Sequence, residues 1–219
     1  MSDSPNYVIA ISSVSGGGKT TLVKKTVDLL KGTALFFDEY ASMSEYPSDL
    51  KKWVKDGADV NEWKTPQFAQ DLAELKRGAR IVSPLDGASI LPAEYIVIEE
   101  PMGRARAEMG RLIDFVAVID TPLEIALARR LLRDFSPSSL GDIEQATREQ
   151  LAASLNQMVG NLQGFLNGYL SVARDIYIAV QEHAKANCDL VLDGSRPVEE
   201  LAQELVRAVG RNPQEAGGG

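Results

Sequence analysis

The chain has 219 residues, enough for one domain with a full hydrophobic core. It is 44% hydrophobic and 25% charged, the balance of a soluble globular protein, and its net charge of −8 speaks against nonspecific binding to nucleic acid or an anionic membrane. One cysteine (Cys188) and one histidine (His183) exclude a disulfide framework, a His/Cys metal cluster and a Ser/His/Asp triad of ordinary form.

Met1–Pro5 does not read as a signal peptide, and no apolar run reaches the roughly 18–20 residues of a membrane span. A soluble, cytoplasmic protein is expected. Tyr7–Ser12 predicts a strand, and Lys19 to about Leu30 predicts a helix with Leu22, Val23 and Val27 on its apolar side and Gly32 at its end. Between them stands Ser13-Val-Ser-Gly-Gly-Gly-Lys19-Thr20, the strand, glycine turn and helix of a phosphate-binding P-loop. Glycines let successive N–H groups turn inward as an anion nest, and the helix start adds its positive dipole end. Lys19 is expected to reach the β- and γ-phosphates of a triphosphate, and the Thr20 hydroxyl to ligate Mg²⁺. Ser13, Ser15, Gly16, Gly17, Gly18 and Thr21 complete the expected nucleotide site. Ser13 stands where the usual G-x-x-x-x-G-K-[ST] pattern has its first glycine.

Thr33–Phe37 predicts a second strand that delivers Asp38, Glu39 and Tyr40 to its C-terminal end. A polar excursion, Ala41–Asn61, holds Trp53 in a helix, and Thr65-Pro66 opens another that carries Phe68, Leu72 and Leu75 and ends at Gly78. Arg80–Leu91 reads as a hairpin, and Tyr95–Ile98 as a buried strand ending in Glu99 and Glu100. Met102–Leu112 reads as a helix and Phe115–Ile119 as a strand ending at Asp120. Thr121-Pro-Leu-Glu124 reads as a capping box opening a helix to about Arg133. A mobile Ser/Pro/Gly break, Phe135–Gly141, precedes a helical pattern from Ile143 to about Ala186, weakened by Gly160, Gly164 and Gly168. Leu190–Leu192 is a last strand, opened by a buried structural thiol at Cys188, and Val198–Val209 a last amphipathic helix.

Strands alternating with helices predict an α/β P-loop NTPase fold, a parallel sheet sandwiched by helices. A single domain is expected over residues 1–211, with a substrate-side insertion at about 41–92, a mobile helical lid at about 129–145 and a disordered tail at 212–219. In such a sheet ligands sit at the C-terminal strand edge, where the P-loop, Asp38/Glu39, Glu99/Glu100 and Asp120 gather. Asp38 is the preferred catalytic base, orienting an acceptor hydroxyl in line with the γ-phosphate, with Glu39 as the alternative. Glu99 is preferred near the metal, with Glu100 as the alternative. Arg129, Arg130 and Arg133 lead into the lid, and Arg133, nearest the break, is taken to stabilise transition-state charge while Arg129 holds nucleotide. Tyr40, Trp63, Phe68 and Asp86 are candidates for the substrate pocket, although Trp63 reads more readily as a packing anchor.

Ile11–Thr21 resembles the P-loop of the uridine kinase and nicotinamide riboside kinase families, and Phe37–Tyr40 resembles their Asp-x-Phe/Tyr segment, whose aspartate is the family's base. Trp63–Gly78 is similar to their substrate-side helix, Ile96–Glu99 to their strand ending in Glu, and Asp120–Asp134 to their lid-entry helix. The resemblance implies ATP- and Mg²⁺-dependent phosphorylation of a small hydroxyl compound, often a ribonucleoside; from the acidic composition no nucleic-acid or membrane partner is expected. It departs at Ser83-Pro-Leu-Asp86, which keeps Pro84 and Asp86 but has Leu85 for the family's tyrosine, with none of the histidine and arginine that read a pyrimidine. The acceptor stays open between a nucleoside, a sugar and a vitamin, as does oligomeric state. A regulatory ATPase or a silent nucleotide-binding module remains the alternative, whereas Asn-Lys-x-Asp and Asp-x-x-Gly, the marks of a GTPase, are absent.

Overall fold

The computed structural model describes residues 5–136 and 146–210. The expected tail at 212–219, the larger part of the expected break (137–141) and the last part of the expected lid (142–145) lie outside the described residues. Strand β1 (Tyr7–Ser12) leads through the glycine turn into helix α1 (Lys19–Leu30), strand β2 (Thr33–Leu35) and a 3₁₀ segment (Phe37–Met43). Helices α2 (Leu50–Lys55) and α3 (Pro66–Lys76) precede an antiparallel hairpin, β3 (Ile81–Val82) and β4 (Ser89–Ile90). Then come β5 (Tyr95–Glu99), the single turn α4 (Ala107–Gly110), β6 (Phe115–Asp120) and α5 (Leu123–Asp134). Helix α6 (Arg148–Gly168) passes through a π turn (Tyr169–Ala173) into α7 (Arg174–Ala186), followed by β7 (Leu190–Asp193) and α8 (Val198–Gly210).

The strands β2-β5-β1-β6-β7 form one parallel sheet in that order. Its central strands are unbroken apolar runs because both faces are covered. Val8, Ala10, Ile96, Ile98, Val116 and Val118 point to the face packed by Phe68, Leu72 and Leu75 of α3. Ile9, Ile11, Val97, Ala117 and Ile119 point to the other, under Leu22 and Val23 of α1 and Leu201 and Leu205 of α8. Strands β5 and β6 pair with β1 on either side, so their C-terminal ends flank the P-loop at the C-terminal edge of the sheet.

Several local expectations change. The turn after α1 puts Lys31, not Gly32, in the left-handed region at φ 54°. Gly32 is needed for a different reason: a Cβ there would lie 2.6 Å from the Tyr95 carbonyl oxygen. The helix expected over Met102–Leu112 shrinks to α4, because a buried ionic network engages Glu100, Met102 and Arg106 and holds the chain in turns. The expected capping box is not made: Pro122 is the N-cap of α5 without a side-chain cap, and Thr121 is drawn elsewhere. Helix α6 runs straight through Gly160 and Gly164, whose missing side chains face open space. Cys188 is half-buried at the edge of the core instead of fully enclosed. Among the described residues no helix is long and apolar enough to cross a membrane.

Candidate active site

The P-loop closes between β1 and α1 with Gly16 at φ +83° and Gly18 at φ +102°, backbone that only glycine adopts without strain. Gly17 has an ordinary φ but no room, since a Cβ would fall 1.9 Å from the Ser13 hydroxyl oxygen. Ser13 is buried, and its hydroxyl donates to the Ile119 carbonyl at 2.9 Å. That bond braces the loop on β6. From the same strand end, Thr121 Oγ1 donates to the Gly17 carbonyl at 3.0 Å. The Lys19 ammonium donates back across the loop to the carbonyls of Ser13 (3.0 Å) and Val14 (3.2 Å). Burial lowers the Lys19 pKa, and the carboxylates of Glu99 and Asp38 oppose that shift.

Glu99 leaves β5 only 3% exposed. Burial raises its pKa, while a hydrogen bond from Thr20 and the Lys19 charge pull the other way. One carboxylate oxygen, Oε1, is buried without a partner. An orphaned carboxylate oxygen beside the Thr20 hydroxyl is a hard-oxygen donor pair that fits Mg²⁺, an ion held by one or two protein groups plus phosphate oxygens and water. Among the described residues no group of three or more His, Cys, Asp or Glu is clustered for a metal. Glu100 is differently engaged: it is 0% exposed and both its oxygens are bonded by Arg106. Removing either partner of such a pair strands a buried charge and costs ~3–5 kcal/mol.

A cavity of about 370 Å³ opens over the loop. Ser15, Gly16, Gly18 and Lys19 form its floor, Thr20, Thr21, Asp38 and Glu99 one side, and Arg129 and Arg133 of α5 the other. Arg133 is 65% exposed and bonded to Asp134 at 2.7 Å. A second cavity, of about 170 Å³, is largely apolar and aromatic. Phe37, Trp63 and Met102 line it together with Ile176, Tyr177 and Val180 of α7. Ser15, Lys19, Asp38 and Glu99 border both cavities. A third, also about 170 Å³, lies behind the loop beside Arg129, Gly194 and Arg196.

Three expected pocket residues lie elsewhere. Tyr40 and Phe68 are 0% exposed, with rings 4.9 Å apart inside the core, and the Tyr40 hydroxyl bonds Asp71 at 2.9 Å. Their substrate contact is withdrawn, because both rings are enclosed in the core between the 3₁₀ segment and α3. Asp86 is exposed at the hairpin tip, accepts from the Ala88 amide at 3.0 Å and lines none of these three cavities. Glu39 is half-buried and also off the cavity walls, its pKa raised by burial and by the charges of Asp86 and Glu99. Asp120 is tied to α7 through Gln181 (2.7 Å) and Lys185 (2.8 Å). Residues missed in the sequence are Phe37, Met102 and the α7 stripe Ile176, Tyr177 and Val180. The stripe's i, i+1, i+4 spacing marks one helix face, but nothing local says what that face meets. Arg130 joins both regions: it donates to the Tyr177 hydroxyl at 2.7 Å, its guanidinium lies 4.7 Å over the Phe165 ring, and its stem packs where a Gly16 Cβ would stand.

No family model matches the chain. Over 141 residues it is 30% identical to the uridine kinase of Borreliella burgdorferi, a match covering 59% of this chain and 68% of that one. It is 26% identical over 197 residues to the uridine kinase of Borrelia garinii subsp. bavariensis, covering 84% and 85% of the two chains. A solved structure of a possible uridine kinase from Bacillus stearothermophilus aligns with 88% of this chain and 91% of its own at 15% identity and a TM-score of 0.44, too loose a likeness to bear on the site.

Proposed function

Because this chain belongs to the uridine kinase family, we propose that it transfers the γ-phosphoryl group of ATP, with Mg²⁺, to a hydroxyl of a nucleoside-like small molecule. The observation that carries the reading is the shared border of the two cavities: a cationic chamber over the P-loop meets an apolar one at Lys19, Asp38 and Glu99. Phosphoryl transfer needs that geometry, a phosphate on one side and an alcohol on the other.

In this reading Asp38 accepts the proton of the acceptor hydroxyl as its oxygen bonds to the γ-phosphorus and the bridging oxygen leaves with ADP. Lys19, Arg129 and Arg133 offset the charge on the phosphates, and the P-loop amides hold them in line. Glu99 and Thr20 hold the metal, which supplies charge neutralisation on the phosphate oxygens when bound. The cavity behind the loop takes the nucleotide's base. The fold unit for this work is one domain over residues 1–211, with 41–92 as the acceptor side, acting in the cytoplasm.

The test is ADP release from Mg-ATP against a panel of nucleosides, vitamins and sugars, with Asp38→Asn beside the wild type. One acceptor is expected to stimulate the wild type, and the variant to lose about two orders of magnitude in turnover while keeping nucleotide affinity. Turnover without any acceptor, equal in both proteins, supports a regulatory ATPase instead, and tight ATP binding with no turnover a silent module.

A further inference from the structure

We propose that the buried Glu100–Arg106 pair is a clamp that sets the shape of the acceptor chamber, making both residues positioning determinants of acceptor recognition; this rests on the kinase reading above. Arg106 is 0% exposed and leads the fully buried side chains by volume. Its Nε donates to Glu100 Oε1 at 3.2 Å and its Nη2 to Glu100 Oε2. Its Nη1 donates to the Trp63 carbonyl (3.0 Å), Thr65 Oγ1 (2.7 Å) and Glu108 Oε1 (2.9 Å). The guanidinium lies 5.7 Å from the centre of the Phe37 ring. Glu100 Oε1 in turn accepts from the Met102 amide at 3.1 Å.

Phe37, Trp63 and Met102 line the chamber together with Ile176, Tyr177 and Val180 of α7. The first three come from three separate segments, after β2, before α3 and after β5, and none of them lies in a strand or an α-helix. One ion pair therefore grips three irregular pieces of chain at once. None of its hydrogen bonds reaches a residue of the nucleotide cavity. A buried pair contributes little that a well-packed apolar pair could not, but its bonds are directional and fix backbone positions. Here the fixed positions are those that face the acceptor.

The test uses Arg106→Lys and the double variant Glu100→Met with Arg106→Met, which removes both charges together so that neither is stranded. Calorimetry measures the affinity for a non-hydrolysable Mg-ATP analogue, and steady-state ADP release is followed with the panel compound that stimulates the wild type. The acceptor KM is expected to rise about tenfold or more while analogue affinity stays within about twofold. An unchanged KM in both variants overturns the clamp, and so does a loss of analogue affinity that matches the rise in KM. Acrylamide quenching of tryptophan emission needs no acceptor: Trp53 and Trp63 lie ring to ring at 5.7 Å in one cluster with Met102, and a gain, reporting that cluster's loosening, is expected. Unchanged quenching overturns the clamp. If no compound turns over on the wild type, the kinase reading has failed, and the quenching result still decides the clamp's hold on the chamber.

Discussion

At Gly17 the limiting distance is to a single side chain. The 1.9 Å approach of a would-be Cβ is to the hydroxyl of Ser13, the residue that replaces the first glycine of the usual pattern. The two positions act as one unit, so Gly17→Ala should weaken nucleotide binding by about a hundredfold, and adding Ser13→Gly should recover part of it. Recovery stays partial because the Val14 carbonyl oxygen would still lie 2.9 Å from the new carbon. Calorimetry on the two single variants and the pair checks this, and strictly additive losses would separate the positions. Much of the loop was legible in the sequence, because a phosphate nest demands consecutive glycines and a following Lys-Thr. The destination of the Ser13 hydroxyl was not, since Ile119 lies 106 residues away. The partners of the two neighbouring carboxylates were equally hidden: Thr20 bonds Glu99 and Arg106 holds Glu100, and the apolar strand before them marks neither contact.

At the level of elements, Thr121 shows how a local pattern can be outbid. Thr-Pro-Leu-Glu has the form of a capping box, yet the threonine hydroxyl serves the Gly17 carbonyl and leaves α5 without a side-chain cap. The bond ties the start of α5 to the P-loop. Thr121→Val keeps the shape and removes the donor, leaving a buried carbonyl unpaired at a cost of ~1–3 kcal/mol. Urea unfolding should show that loss, and Thr121→Ser should restore it; equal stability of the valine and serine variants would refute the bond's role. The strands β1, β5 and β6 were read correctly because runs covered on both faces have no polar alternation to obscure them. The stretch after β5 was misread as helix because its apolar spacing is helical, whereas Arg106 and Glu100 bind it into turns.

For the whole molecule, the two faces of one sheet are covered by elements from both ends of the chain, with α1 and α8 together on one of them. No part of the core can melt without uncovering the rest, so calorimetric unfolding should show a single transition whose van't Hoff and calorimetric enthalpies agree. Two transitions would mean that 41–92 is a separate unit. The sheet and its edge were open to sequence reading, while the acceptor chamber was not, because its walls come from Phe37, Trp63, Met102 and α7 and meet only in three dimensions. The thin border at Lys19, Asp38 and Glu99 has a further consequence. A molecule on either side rests against the same charged groups, so the two occupants cannot be indifferent to each other. By thermodynamic reciprocity, whatever factor the nucleotide imposes on acceptor affinity, the acceptor imposes on nucleotide affinity.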